Sequence, residues 1–232
     1  MWENGGSTFE SVLVLIASLN EEEGIGLTLE EIKDFLKNPS FLVVDGHSTD
    51  NTVEIAKNLD AQIMFQRGKG KGAAIAHAVE LANFDGNYVI MIDADFTYPA
   101  KFIPMMIQIL EENPRVGMVC GNRFNSHFHM KAMSDMFYVG NRILAFTHNM
   151  LNGVSLRDPL SGLRAIRWNL LKGWKPKSSG FDIEVELNHH VERKGYEIAE
   201  IPIYYRTRLG QKKLKLRHGV TILKRIITES IY

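Results

Sequence analysis

The sequence holds one cysteine, Cys120, in 232 residues and carries no net formal charge, with 27 Lys plus Arg against 27 Asp plus Glu. A lone thiol excludes an internal disulfide and points to a reducing compartment. Cys120 sits in the apolar run VGMVCGN and reads as a core thiol rather than a nucleophile. Balanced charge argues against a dedicated nucleic-acid binder, so no nucleic-acid partner is expected. No window offers the ~20 uninterrupted apolar residues of a membrane helix. The opening MWENGGSTFE lacks the cationic and apolar regions of a secretory signal. Two nucleotide motifs are missing as well. There is no Gly-x-x-x-x-Gly-Lys-Ser/Thr, and SLNEEEGIG stands where a Gly-x-Gly-x-x-Gly would follow the first strand. These absences count against nucleotide hydrolases and nicotinamide dehydrogenases.

What is present is an alternation of strand-length apolar runs with helical patterns, the mark of βαβ units around a mostly parallel sheet. Strands are expected at 12–18, 41–45, 61–66, 88–93 and 116–121. Helices are expected at 26–37, 50–59, 71–83 and 100–112, with Ser48, Thr49 and Asp50 as N-cap candidates. The length suits one α/β domain spanning 1–232. The second half is less regular. It shows an amphipathic stretch at 134–151, a helix near 181–193, the strand YEIAEIPIYY, and a basic amphipathic helix within 214–232. Segment 122–133 reads as a mobile loop.

Open sheets of this kind bind ligands beyond the carboxyl ends of their strands. In YVIMIDADFTYP, Asp93 and Asp95 stand two apart at such an end, so both can point to one side. Adjacent carboxylates repel unless one is protonated or a cation intervenes. Two readings are open: a solvated turn with capping aspartates, or a site for Mg²⁺ or Mn²⁺ shared with phosphate oxygens. Asp45 opens DGHSTDNT and can accept a base or ribose hydrogen bond, and QRGKGKGAA offers small residues and two lysines where backbone can approach a ligand. From Arg206 to Arg225 there are eight Lys or Arg and no acid, which suggests a local anionic partner.

Nine segments together resemble the family 2, GT-A type glycosyltransferases, and within them the dolichol-phosphate mannose synthase-like enzymes. They are IASLNEEEGI, VVDGHSTDNT, GKGKGAA, MIDADFTYPAKFIPMMI, CGNRF, RDPLSGLRA, SGFDIEVEL, GYEIAEIPI and YRTRLGQKKL. The resemblance implies an α/β GT-A fold, Rossmann-like, with a mostly parallel central sheet flanked by helices. It further implies that Ala17, Leu19, Glu21, Val43 and Asp45 line a nucleotide site. Asp93, Ala94 and Asp95 match the family's Asp-x-Asp, which holds metal and diphosphate. Thr97 stands where many members place a Gln metal ligand. Arg208 and Lys213 match basic residues near the donor diphosphate and acceptor phosphate, with one residue missing from the loop between them.

The implied reaction moves a hexose from a nucleotide-sugar donor, GDP-mannose first among candidates, to dolichyl or polyprenyl phosphate with inversion. A metal, Arg208 and Lys213 would neutralise the leaving diphosphate. A phosphate acceptor is already ionised, so no strong base is required. Glu184 and Glu186 then read either as ligands of sugar hydroxyls or as helix-surface residues. Arg123, Arg142 and Arg164 are candidates for the acceptor phosphate. For Arg142 phosphate is favoured over a structural ion pair, and for Arg164 the reverse. The alternatives are a UDP-glucose or UDP-N-acetylglucosamine donor, a saccharide hydroxyl acceptor with Glu184 or Glu186 as base, or a membrane-associated nucleotide-sugar binding subunit without catalysis. The two amphipathic stretches suit core packing, a membrane surface or a membrane-anchoring subunit, giving a cytoplasmic protein peripheral to a membrane's cytoplasmic face.

Overall fold

A computed structural model of the protein describes residues 11–124, 135–215 and 217–231. In chain order it contains β1 (Val12–Ser18), α1 (Glu22–Phe35), β2 (Ser40–Asp45), α2 (Thr52–Asn58), β3 (Gln62–Phe65), α3 (Lys71–Leu81) and β4 (Tyr88–Met91). A 3-10 turn at Ala100–Phe102 leads into α4 (Ile103–Glu112). Then come β5 (Val116–Asn122), α5 (Asp135–Asn152), β6 (Arg164–Arg167), α6 (Trp168–Leu171), α7 (Ile183–Arg193), β7 (Glu197–Pro202) and α8 (Arg217–Ser230).

Side chains of β1 alternate between two cores. Val12, Val14 and Ile16 join α1 and α4 on one face of the sheet, while Leu13 and Leu15 join α3 and α7 on the other. Strand β2 repeats the pattern, with Phe41 and Val43 on the first side and Leu42 and Val44 on the second. Strands covered on both faces have no polar side to present, which explains their unbroken apolar runs.

The sheet order is β3-β2-β1-β4-β6-β5-β7. β1 pairs in parallel with β2 on one side and β4 on the other, so the chain reverses its direction of spread at β1. That switch point opens a crevice beyond the carboxyl ends of β1 and β4. β6 runs antiparallel to both β4 and β5, and the remaining pairings are parallel.

The structure departs from the sequence expectations in three places. Helix α1 begins at Glu22, not near residue 26, because its first amides find partners from a distant loop: Thr52 Oγ1 accepts from Glu21 N at 2.8 Å and Asp50 Oδ2 from Glu22 N at 3.2 Å. Glu22 and Glu23 then suit the positive end of the helix. Strand β6, four residues with arginine at both ends, was not anticipated. Third, the strand expected through Tyr205 ends at Pro202, and residues 203–215 continue as a strap without regular structure. The loop expected at 122–133 lies largely outside the described residues.

Candidate functional site

Beyond β4 the chain turns sharply, and Asp93, Ala94 and Asp95 face a cavity of about 320 Å³ in the switch-point crevice. Two near approaches shape this turn. A Cβ on Gly162 would stand 2.5 Å from Asp93 Oδ2, and one on Gly24 would stand 2.6 Å from the Ala94 carbonyl oxygen. Only glycine lets the β6 approach and helix α1 lie this close to the carboxylates.

Each acid of the cavity wall meets a cation. Lys71, the first residue of α3, donates to Asp93 Oδ1 at 2.6 Å and pairs with Glu184 Oε1 of α7 at 2.7 Å. Arg208 of the strap pairs with both Asp95 and Glu21. Lys213 reaches Glu21 Oε1 at 2.8 Å and the Asn20 carbonyl at 2.6 Å. Thr97, fully buried, donates its hydroxyl to Asp95 Oδ1 at 2.5 Å.

The two aspartates titrate in opposite directions. Burial opposes ionisation of Asp93, but the adjacent Lys71 ammonium outweighs it and holds the carboxyl below its ordinary range. Burial raises Asp95, the Asp93 charge raises it further, and Arg208 offsets only part. Burial likewise raises Glu21 despite Lys213 and Arg208. Glu21 Oε2 and Arg208 Nε are buried without a hydrogen-bond partner among the described residues. An unmet donor beside an unmet acceptor suits a ligand carrying both cation and anion.

The strap is tied down along its length. Arg206 N donates to the Thr97 carbonyl at 2.9 Å and Leu209 N to the Asp95 carbonyl at 3.1 Å. The Arg206 guanidinium forks onto Glu31 at 2.8 and 2.5 Å. Thus the strap delivers Arg208, Lys212 and Lys213 to the cavity wall. Burial, then the charges of Arg208 and Arg123, push Lys212 below its usual range, which marks this corner as one that an anion would relieve.

Of the residues singled out in the sequence, Ala17, Leu19, Glu21, Asp93, Ala94, Asp95, Arg123, Glu184, Arg208 and Lys213 line the cavity. Five do not. Val43 points into the core on the α1 side of the sheet. Asp45 is fully buried, accepting from Ser18 Oγ at 3.0 Å, Ser48 N at 2.7 Å and Ser48 Oγ at 2.6 Å, so its carboxylate builds the turn beside the cavity. Thr97 stands behind Asp95. Arg142 lies over the Phe124 ring at 5.8 Å. Glu186 accepts from Lys177 N at 2.7 Å and Ser178 N at 2.6 Å, fixing the loop before α7.

Arg123 carries a second duty: its guanidinium is bidentate to buried Asp158 at 2.7 and 2.8 Å. Arg164 is structural, as expected, but its partners are neutral: the Ser161 and Pro159 carbonyls at 2.8 and 2.7 Å and Asn188 Oδ1 at 2.6 Å. Sequence reasoning passed over Lys71, Gln66, Tyr98, Tyr205 and Lys212 as wall residues. For Lys71 the signal was present in GKGKGAA, but which side chain turns inward depends on where α3 starts.

No group of three or more His, Cys, Asp or Glu side chains able to hold a metal occurs among the described residues. Asp93 and Asp95 nevertheless fit a hard divalent cation that completes its shell with ligand oxygens and water.

Residues 13–172 match the protein family described as Glycosyl transferase family 2. The glycosyltransferase AglJ of Haloferax volcanii is 34% identical over 198 residues, 85% of this chain and 64% of its own length. A dolichyl-phosphate hexose transferase of the same organism is 32% identical over 223 residues, 95% of this chain and 94% of its own length. Among solved structures, glucosyl-3-phosphoglycerate synthase of Mycobacterium tuberculosis, with Mn²⁺, UDP-glucose and phosphoglyceric acid, superposes with a TM-score of 0.74. It is 21% identical, and the match covers 98% of this chain and 81% of that one.

Proposed function

The chain belongs to glycosyl transferase family 2 and has the GT-A fold, and from that premise we propose that it transfers a hexose from a nucleotide-sugar donor to a polyprenyl phosphate. The observation that carries this reading is the switch-point cavity in which the carboxylates after β4 face Arg208 and Lys213. A diphospho-sugar with its counter-cation supplies the charges those groups now supply to one another.

Asp93 and Asp95 would hold the divalent ion, Mg²⁺ or Mn²⁺, which when bound neutralises the diphosphate charge. Thr97 orients Asp95 for this. Arg208 and Lys213 exchange Asp95 and Glu21 for phosphate oxygens and stabilise the departing nucleoside diphosphate. Glu184 binds a hydroxyl of the sugar. The acceptor's phosphate approaches the cationic corner of Arg123, Arg208 and Lys212, and its oxygen attacks the anomeric carbon opposite the leaving group, which inverts the configuration. An ionised phosphate needs no proton removed. A saccharide hydroxyl would need a base, and Glu186 is committed to two backbone amides while Glu184 is paired with Lys71.

A lipid acceptor places the enzyme at a membrane surface. No helix of the described residues is long and apolar enough to cross a membrane. Helix α5 does present Val139, Ile143, Phe146 and Met150 outward at spacings of four, three and four, with Phe146 68% exposed. Its neighbour α8 exposes Val220 and Ile227, with Ile231 just past its end, on the same segment as the exposed cations Arg217 and Lys224. Such a surface suits an anionic bilayer.

The test is a donor panel of GDP-mannose, UDP-glucose and UDP-N-acetylglucosamine with Mn²⁺ or Mg²⁺ and a short polyprenyl phosphate in vesicles, following sugar radiolabel into the organic phase. One donor is expected to label the lipid, and GDP-mannose is the first choice. Failure of every donor with the folded protein overturns the reading.

A further inference from the structure

Lys71 has no part in the mechanism above, yet it joins three elements at the cavity wall. Its side chain is 16% exposed and ends between Asp93 after β4 and Glu184 of α7, 2.6 and 2.7 Å away. We propose that Lys71 is a specificity-determining residue for the donor sugar: with Glu184 it reads two neighbouring hydroxyls of the transferred hexose. The proposal rests on the nucleotide-sugar reading and names the part of the donor this residue would recognise.

An ammonium has three N–H donors, and the two carboxylates take two. Glu184 retains acceptor capacity beyond the single Lys71 contact. The wall therefore presents a donor and an acceptor 2.7 Å apart. A vicinal diol is the complement, one oxygen accepting from the ammonium while the adjacent hydroxyl donates to the carboxylate. A phosphate is a poor match, because Lys71 stands between two negative charges, whereas Arg208, Lys212 and Lys213 form the anion-seeking side. Neutral oxygens are what this pair can bind without a further charge imbalance.

The pair is also held rigidly. Gly70, at φ 96°, starts α3 in a conformation that side chains avoid. A Cβ on Gly70 or Gly72 would stand 2.4 Å from the Ser179 or Ser178 carbonyl oxygen. Across this seam Gly72 N donates to Gly180 O at 3.1 Å and Ala73 N to Ser179 O at 3.2 Å. Glu186 then fixes the same loop through the amides of Lys177 and Ser178. The start of α3 and the start of α7 thus form one unit, and Lys71 and Glu184 are preorganised in it.

The experiment measures calorimetric affinity, without acceptor, for a nucleotide sugar, its monodeoxy analogues and the free nucleoside diphosphate, each with Mn²⁺. The wild type is compared with Lys71→Met, Lys71→Arg and Glu184→Gln. Lys71→Met is expected to weaken the nucleotide sugar about 10- to 100-fold more than the nucleoside diphosphate, the scale of a hydrogen bond to a charged group. One monodeoxy donor penalised in the wild type should carry no further penalty in Lys71→Met. Should Lys71→Met fail to fold, Lys71→Arg carries the same comparison, because it keeps the charge and changes the geometry. Equal losses for sugar nucleotide and bare diphosphate, or an unchanged deoxy penalty, overturn the role of Lys71 while leaving the donor reading intact. No nucleotide-sugar binding by the folded wild type overturns both.

Discussion

The crevice and the outer face of α5 and α8 are opposites. In the crevice Glu21, Asp93, Asp95 and Glu184 each hold a cation already. On the outer face, Val139, Ile143, Phe146 and Val220 stand exposed. One surface pairs its charges internally, and under the proposed function a ligand offers the same charges in exchange. The other leaves apolar area in water, at a cost of about 25 cal/mol per Å² until something covers it. Under the proposed function the first selects among small charged molecules, and the second attaches to a broad apolar surface.

The largest break in that contrast should come from Asp95→Ala. It removes a carboxylate that Thr97 and Arg208 both hold. Transfer measured as kcat/KM should fall by about 10³-fold, the scale of losing a preorganised electrostatic group. A fully active variant would refute the site.

A second effect concerns what fastens α5 to the core. His148 of α5 and His189 of α7 lie with ring centroids 5.3 Å apart, and both are buried. Burial pushes His148 down to about 4, with the His189 and Arg164 charges adding to it. Burial pushes His189 down to about 4, with Arg193 adding to it and Glu229 opposing. The fold holds both rings neutral, whereas the unfolded chain protonates them near 6.5. Their stability contribution is therefore full above pH 6.5 and declines as pH falls towards 4, on the order of 3 kcal/mol for each ring. Urea unfolding at pH 7.5 and 4.5 measures this, and a flat profile would contradict it.

The smallest effect sharpens the contrast most. Ile143→Glu with Phe146→Glu should lower transfer to polyprenyl phosphate in vesicles about 10-fold and abolish co-sedimentation with anionic vesicles. Donor affinity in solution should be unchanged. Undiminished vesicle binding would assign the face to another occupant.

The same two regions differ in how legibly the sequence records them. Leu13 and Val14 declare a strand covered on both faces, and the run before Asp93 declares where a strand ends. Such signals are local and periodic. Glu186 and Arg142 carry the same residue types as true wall groups, yet one caps a loop and the other lies over Phe124. A helical pattern does not say which of two acids two residues apart faces a crevice made by other elements. Lys71 was legible as a cation at a junction, but its two acids come from positions 22 and 113 residues away along the chain. Resemblance to a family carried Arg208, which no periodicity would have found in a strap without regular structure.

That strap has a consequence for how the protein is made. Arg208 reaches Glu21 across 187 positions and Asp95 across 113, and Arg206 reaches Glu31 across 175. Chains emerge amino end first, at about 5–20 residues per second. For roughly ten seconds or more, Glu21 stands on the nascent chain without its basic partners Arg208 and Lys213. Glu21, Glu31 and Asp95 gain these partners only when nearly all of the chain has left the ribosome, so an unfinished chain holds the crevice without its strap.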